Sequence, residues 1–488
     1  MLLVLRVFTG RDAIDCVLYL SKTNLQKRGA FLQTRFSVNP NFLRHVRKLH
    51  SRRGRFRHPM RRQILMSFNF KHIAAGVALA FGGIAGAQAA TITISCGSNA
   101  ADVEFCGKYA EDWGKANGHT VKMYSSPAST TDNLALLRQQ FAAKSSDLDV
   151  IMIDVVWPGV IKDHLVDLKK YSKGAEAKHF PAIVANNTVD GKLLGMPWFT
   201  DAGLLFYRKD LVEKYGLKAP GTWEEMATAA KKIQDGERAA GKADFQGFVF
   251  QAKAYEGLTC DALEWVASFG GGEIVDKAGN ITINNPGAAK ALDTAASWIG
   301  TIAPAGVLNY GEEDSRGVWQ NGNAAFMRNW PYAWSLGQAA DSPIKGKIGV
   351  AALPAGSGAG AKKAATLGGW QLAVSKYSKN VDAAAALAMY MTSPEIQKKR
   401  AVGGSYNPTI PDLYKDADIA KANPFMVELL DVFTNAVARP ATATGLKYPE
   451  VSNAFWDATH EVLEKKTTGA AAVKKLEGKL KQIKRTKW

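Results

Sequence analysis

The stretch Phe326-Met327-Arg328-Asn329-Trp330-Pro331-Tyr332-Ala333-Trp334 packs four aromatics, an arginine and a proline into nine residues, with no helical or strand period. Pro331 lacks a backbone donor and biases Trp330 away from the α region, so one unbroken helix cannot present Trp330, Tyr332 and Trp334 together. The segment predicts aromatic side chains projected from a helix end into a cleft. A second Trp sits on a glycine turn, Gly368-Gly369-Trp370, and a third follows a strand in Asp154-Val155-Val156-Trp157-Pro158. Both are loop positions of the kind that carry function. Asp154 at a strand end and Asp201 in an apolar extended run add carboxylates whose burial is costly unless a partner meets them. No Cys-x-x-Cys or His-rich spacing points to a metal, and nothing points to a cofactor.

These residues need a scaffold that holds them at strand ends. Thr91 to Ser95 alternates as a strand, and Asp102 to Ala116 has helical spacing that puts Val103, Cys106, Tyr109, Ala110 and Trp113 on one face. A strand at His119 to Tyr124, a helix at Asn133 to Lys144 and the apolar strand Val150 to Ile153 follow. The β-α-β-α-β order predicts an α/β fold with a mostly parallel sheet covered by helices and ligands at the carboxyl ends of its strands. Further on, Leu193 to Arg208 reads as extended chain interrupted by Thr200-Asp201, and Thr222-Trp223-Glu224-Glu225 has the pattern of a helix-starting capping box. The C-terminal third is helical and ends in a Lys-rich amphipathic stretch, read as a solvated face.

At 488 residues the chain exceeds one core and calls for two or three domains. Its net charge of +18 suggests nucleic acid until it is divided along the chain. Residues 1–65 hold 15 Lys/Arg against two Asp/Glu, which leaves 91–488 with only +4. The body therefore lacks the basic excess of a nucleic-acid binder. Residues 1–65 read as a basic extension, either untranslated or disordered. Residues 66–89 read as a signal peptide: a short n-region from Met66 to His72, an apolar run from Ile73 to Ile84, and the small-residue cleavage pattern Ala87-Gln88-Ala89. Translation would start at Met60 or Met66, and the mature protein would begin near Ala90. Export to an oxidising compartment predicts a Cys96–Cys106 disulfide across a strand-to-helix turn, with Cys260 as a buried free thiol.

From Thr91 to its end the chain resembles the family 1 extracellular solute-binding proteins of ABC importers, and within them the trehalose/maltose-binding proteins. The resemblance is carried by Lys144-Ser145-Ser146-Asp147-Leu148-Asp149-Val150 running into Asp154 to Trp157, by Asp201 to Leu211, and by Tyr255 to Asp261. Gln320 to Phe326, Asn329 to Trp334 and Ala365 to Trp370 complete it. It implies a two-lobed, maltose-binding-protein-like periplasmic binding fold, with lobes of discontinuous chain joined by a hinge. Residues 91–200 and 371–408 would form the N-terminal lobe, and 201–370 and 409–488 the C-terminal lobe.

Carried over position by position, the family's ligand contacts fall on Asp102, Asn133, Asp154, Phe199, Asp201, Trp330, Tyr332, Gly369, Trp370 and Arg439. A pyranose packs its C–H face on an aromatic ring while carboxylates and Arg take its hydroxyls, which suits this set. Asn133 stands where a relative has arginine, Phe199 where one has tyrosine, and Asp102 is shorter than the expected glutamate. The resemblance implies a monomeric periplasmic protein that captures a disaccharide of trehalose, maltose or sucrose type and delivers it to an ABC-importer permease. It implies no enzyme activity and no nucleic-acid partner. The rival reading is an exported glycoside hydrolase or lyase, because carboxylates flanked by aromatics also describe such sites. A third reading, nucleic-acid or membrane-surface binding through residues 44–62, requires that segment to be translated.

Overall fold

The computed structural model describes residues 89–97 and 100–488, and the backbone of two strands near the start of the chain. Those two, Leu3–Thr9 and Ile14–Leu20, pair antiparallel within a unit spanning Met1–Gly82. The rest of the basic extension lies outside the described residues, as does the predicted signal peptide apart from Ala89.

In the body, the strands that matter for the site are β1 (Thr91–Ser95), β2 (Thr120–Tyr124), β3 (Val150–Asp154), β4 (Met196–Ala202), β5 (Leu204–Arg208), β6 (Gln246–Val249), β7 (Ala324–Asn329), β8 (Ile348–Ala352) and β9 (Leu367–Val374). The helices are α1 (Ala100–Asn117), α2 (Thr130–Ala142), α3 (Trp223–Ala239), α4 (Glu256–Ser268), α5 (Glu312–Gln320), α6 (Val381–Met391) and α7 (Pro394–Gly404). Two sheets result, ordered β2-β1-β3-β9-β4 and β6-β7-β5-β8.

β3 shows how the first lobe is built. Alternate residues of a strand point to opposite faces. Val150 and Met152 enter one apolar cluster with α1 and α6, while Ile151 and Ile153 enter another with Leu137 and Phe141 of α2. With both faces covered, the strand reads as an unbroken apolar run. On α1, Cys106, Tyr109, Ala110 and Trp113 are buried as their spacing predicts. Val103 is not: it is 41% exposed, because the first turn directs Asp102 inward instead.

The mostly parallel sheet expected from the β-α-β-α-β order is present, with β9 as its one reversed strand. β1 runs parallel to β2 and β3, but β9 is antiparallel to both β3 and β4, and β5 is antiparallel to β7 and β8. The cause is the chain path, since β9 returns from the second sheet and enters the first from the opposite direction. β9 belongs to the first sheet from Leu367, four residues before the expected lobe boundary at 371. Three passages link the lobes: between β4 and β5, between β8 and β9, and after α7. At the first, Gly203 is required by close approach, because a Cβ there would lie 2.0 Å from Glu264 Oε1.

The second lobe has one large core containing Trp223, Trp265, Trp298 and Trp319. Its α3 starts with the predicted capping box, Thr222 Oγ1 accepting from Glu225 N while the Glu225 carboxylate accepts from Thr222 N. Cys96 and Cys106 are bonded as a disulfide with Cα atoms 5.7 Å apart, and Cys260 is a buried free thiol. Among the described residues no helix is long and apolar enough to cross a membrane, and no cluster of His, Cys, Asp and Glu could hold a metal.

Candidate functional site

Where the ends of β3, β4, β7 and β9 meet the first turns of α1, α4 and α5, the chain encloses a cavity of about 220 Å³. That is just below the usual ~300–1,000 Å³ of small-molecule sites and fits a compact ligand. All ten residues expected at a ligand site line it: Asp102, Asn133, Asp154, Phe199, Asp201, Trp330, Tyr332, Gly369, Trp370 and Arg439.

Strand register does much of the assembly. Trp370 of β9 lies opposite Asp154 of β3 on one side and Phe199 of β4 on the other, which forms a row across three strands. The register shifts between Trp370 and Gln371, a bulge of the kind that re-aims a side chain. Just before it, Gly369 has φ +122°, and a Cβ there would meet Phe199 O at 2.7 Å. Glycine alone fits that position. Gly368 to Trp370 is therefore part of a strand, not the glycine turn expected from sequence. The aromatic motif also begins in a strand, because Phe326 to Asn329 belong to β7. Its six residues are all buried, so alternation is invisible in the sequence.

Trp330 and Trp370 stay part-exposed at the cavity, whereas Trp157 is only 2% exposed and meets Trp370 edge-on at 5.7 Å. Trp157 is thus packing beneath the wall rather than wall. Trp330 is fixed from behind by Arg328, whose guanidinium lies 3.9 Å from the ring centroid. Arg328 is in turn clamped by Glu264, with Nε donating to Oε2 at 2.8 Å, and by Asp261 at 3.3 Å. These carboxylates hold its proton even more firmly than usual against the cost of burial. Trp330 Nε1 donates to Glu312 Oε1 at 3.3 Å, and Tyr332 Oη donates to Glu313 Oε1 at 2.6 Å. The first turn of α5 therefore sets the orientation of both aromatics.

On the opposite wall Arg400 plays the corresponding part. It stacks on Trp198, Tyr406 and Phe199 at 3.8, 4.1 and 4.8 Å and donates to Asp102 Oδ1 at 2.7 Å. Arg439 donates to Asp154 Oδ1 and Glu256 Oε1, both at 2.8 Å. Burial pushes the Glu256 carboxyl up, opposed by Arg439. Asp201 differs from the other acids. It is 7% exposed, and its carboxylate receives no hydrogen bond or ion pair among the described residues. Burial first, and then the Asp102 charge, push its carboxyl up to about 8.

Sequence reasoning missed Glu256, Glu312, Glu313, Tyr255 and Tyr406, all of which line the cavity. Glu312 and Glu313 follow Gly311 in an acidic first turn, which reads equally well as helix-dipole compensation. Tyr255 and Glu256 were in a motif that carried the family resemblance, but nothing in their spacing marked them as lining residues. The site pairs most of its carboxylates with fixed donors. Such a lining can hold a hydroxyl-rich ligand between aromatic faces.

The family model for bacterial extracellular solute-binding protein matches residues 100–398. A probable ABC transporter-binding protein of Deinococcus radiodurans is 59% identical over 415 residues, 85% of this chain and 98% of that protein. The structure of maltose-bound MalE3 of T. maritima superposes with a TM-score of 0.77 at 42% identity, covering 81% of this chain and all of that one. A solute-binding protein of Thermotoga lettingae bound with α-D-tagatose gives 0.72 at 26% identity, with 81% and 100% covered. Two lobes around an aromatic, carboxylate-lined cavity and matches spanning the body of the chain lead to the same conclusion: this chain belongs to the bacterial extracellular solute-binding protein family and is a binding protein, not an enzyme.

Proposed function

We propose that the protein captures a disaccharide of the trehalose, maltose or sucrose type in the periplasm and delivers it, as a monomer, to the permease of an ABC importer. The observation that carries this reading is the pair of part-exposed tryptophans, Trp330 and Trp370, on the walls of a cavity whose floor holds Asp154 and Asp201. Aromatic faces take the C–H face of a pyranose, and buried carboxylates left unmatched by its hydroxyls would be costly. Asp102, Asn133, Phe199, Tyr332, Gly369 and Arg439 complete the ligand set, with Arg439 acting mainly by fixing Asp154. The two lobes would close over the sugar. The maltose and tagatose ligands of the two solved relatives support a saccharide.

Titration calorimetry against trehalose, maltose, sucrose, glucose and a panel of amino acids tests the proposal. Micromolar or tighter binding of at least one disaccharide is expected. Binding of an amino acid with no response to any sugar would refute it.

A further inference from the structure

We propose that Asp201 makes the cavity select for ligand charge: it takes saccharides that carry a basic amino group more tightly than their neutral parents, and it excludes acidic ones. This rests on the sugar-binding reading above. The argument starts from which carboxylates already have partners. Asp154 and Glu256 share Arg439, and Asp102 holds Arg400. Glu312 accepts from Tyr255 Oη at 2.5 Å and from Trp330 Nε1, while Glu313 at the rim accepts from Tyr332 and Arg316. Asp201 alone among these lining acids has no donor among the described residues, although it is buried.

The groups facing Asp201 explain why it has none. Asp102 comes from α1 and Asp154 from β3, and both repel its charge. Arg400 from α7 and Arg328 from β7 attract it, but each is committed elsewhere, to Asp102 and to the Glu264–Asp261 pair respectively. The phenols of Tyr406 and Tyr414 also feel its charge and are buried. Among these neighbours Asp201 keeps its proton at neutral pH, with its carboxyl raised to about 8.

A ligand ammonium placed against it would take the role of that proton. The carboxyl ionises, one proton leaves to solvent, and the ion pair forms in a water-poor site. A ligand carboxylate or phosphate meets the reverse situation. It faces Asp102, Asp154, Asp201 and Glu312, and the lining cation without a carboxylate partner among the described residues, Lys253, is exposed to solvent.

The test uses the full-length protein, trehalose, its four positional amino-deoxy derivatives (2-, 3-, 4- and 6-), and trehalose 6-phosphate, with the maltose series run in parallel. At pH 7.5 at least one amino derivative should bind tenfold or more tighter than its parent, and the phosphate tenfold or more weaker. Calorimetry in two buffers of different ionisation enthalpy should show more than half a proton released for that amine and clearly less for the parent. The amine-to-parent affinity ratio should rise between pH 6 and pH 8 by up to tenfold per unit, because the unliganded protein holds the proton that the complex has lost. Asp201→Asn should abolish the preference, and the proton-release measurement needs no variant should that one misfold. If every amine binds no better than its parent, or the best one releases no proton, the charge-selection proposal is overturned while sugar binding stands. If neither parents nor amines bind, the sugar reading fails and takes this proposal with it.

Discussion

Asp201→Asn in the unliganded protein gives a measurement of how the site is held ready. The folded chain keeps a carboxyl titrating at about 8 whose ordinary value is 3.8. Between those values the native state holds a proton that the unfolded chain has released, so unfolding stability falls as pH rises through that window. Each pH unit is worth about 1.4 kcal/mol, which makes the ceiling of the effect about 4 kcal/mol at pH 7 and about 6 kcal/mol above pH 8. Asn has nearly the same shape and no proton to lose. The stability gain of the variant over wild type should therefore be small near pH 4, grow with pH through the neutral range, and level off above pH 8. Urea unfolding followed by both tryptophan fluorescence and circular dichroism, at pH 5, 6, 7, 8 and 9, measures this gain, and coincidence of the two probes checks the two-state treatment. A gain that stays constant from pH 5 to pH 8 would refute the reasoning, because it would mean that Asp201 is ionised in the folded protein throughout.

His179 should show the opposite sign. Its ring is buried against Thr409 Oγ1 at 2.7 Å and burial pushes it down to about 4, so stability present above pH 6.5 is lost as pH falls towards 4, by up to about 3 kcal/mol; His179→Gln should flatten that limb of the stability profile. Replacing Cys96 and Cys106 together with Ser should cost about 2–3 kcal/mol, the amount a loop of this length implies, and an unchanged unfolding midpoint under non-reducing conditions would mean the bond is absent in solution. Trp330→Ala and Trp370→Ala should each lower sugar affinity at least tenfold, roughly the 2 kcal/mol of a binding hot spot. Trp113→Ala, which removes a side chain packed in the first-lobe core, should lower the melting temperature and leave the affinity of the folded fraction unchanged.

How much of this was legible in the sequence depends on which faces of each element are covered. Thr222 to Glu225 announced its helix because capping is local and the residues that make it are adjacent. α1 was legible through its buried stripe, except at Val103, where the helix end no longer follows the core. β7 was not legible, since full burial on both faces removes the alternation that marks a strand. The bulge at Trp370 was hidden for a different reason: Gly-Gly-Trp reads as a turn unless the partner strands are known. The ten site residues came from family resemblance, and the structure gathers them around one cavity. Their supports, Arg328 and Arg400, lie 64 and 298 residues from the acids they bind, a separation at which no local pattern can operate.

Those supports explain why so charged a cavity coexists with a stable fold. Breaking a buried ion pair by removing one partner costs roughly 3–5 kcal/mol, so charges around a ligand site are tolerable only when each has a fixed partner. Arg439 meets that condition across the lobes, joining Asp154 on the first sheet to Glu256 on the second-lobe helix α4. Tyr448, which packs in the first-lobe cluster, reaches the same glutamate with its hydroxyl, and Thr131 Oγ1 accepts from Glu256 N at 3.3 Å. Glu256 thus joins α4 to Arg439, to Tyr448 and to Thr131 of α2. The exception, Asp201, is where the fold leaves a carboxyl without a donor, and it lines the cavity where a bound solute can supply one.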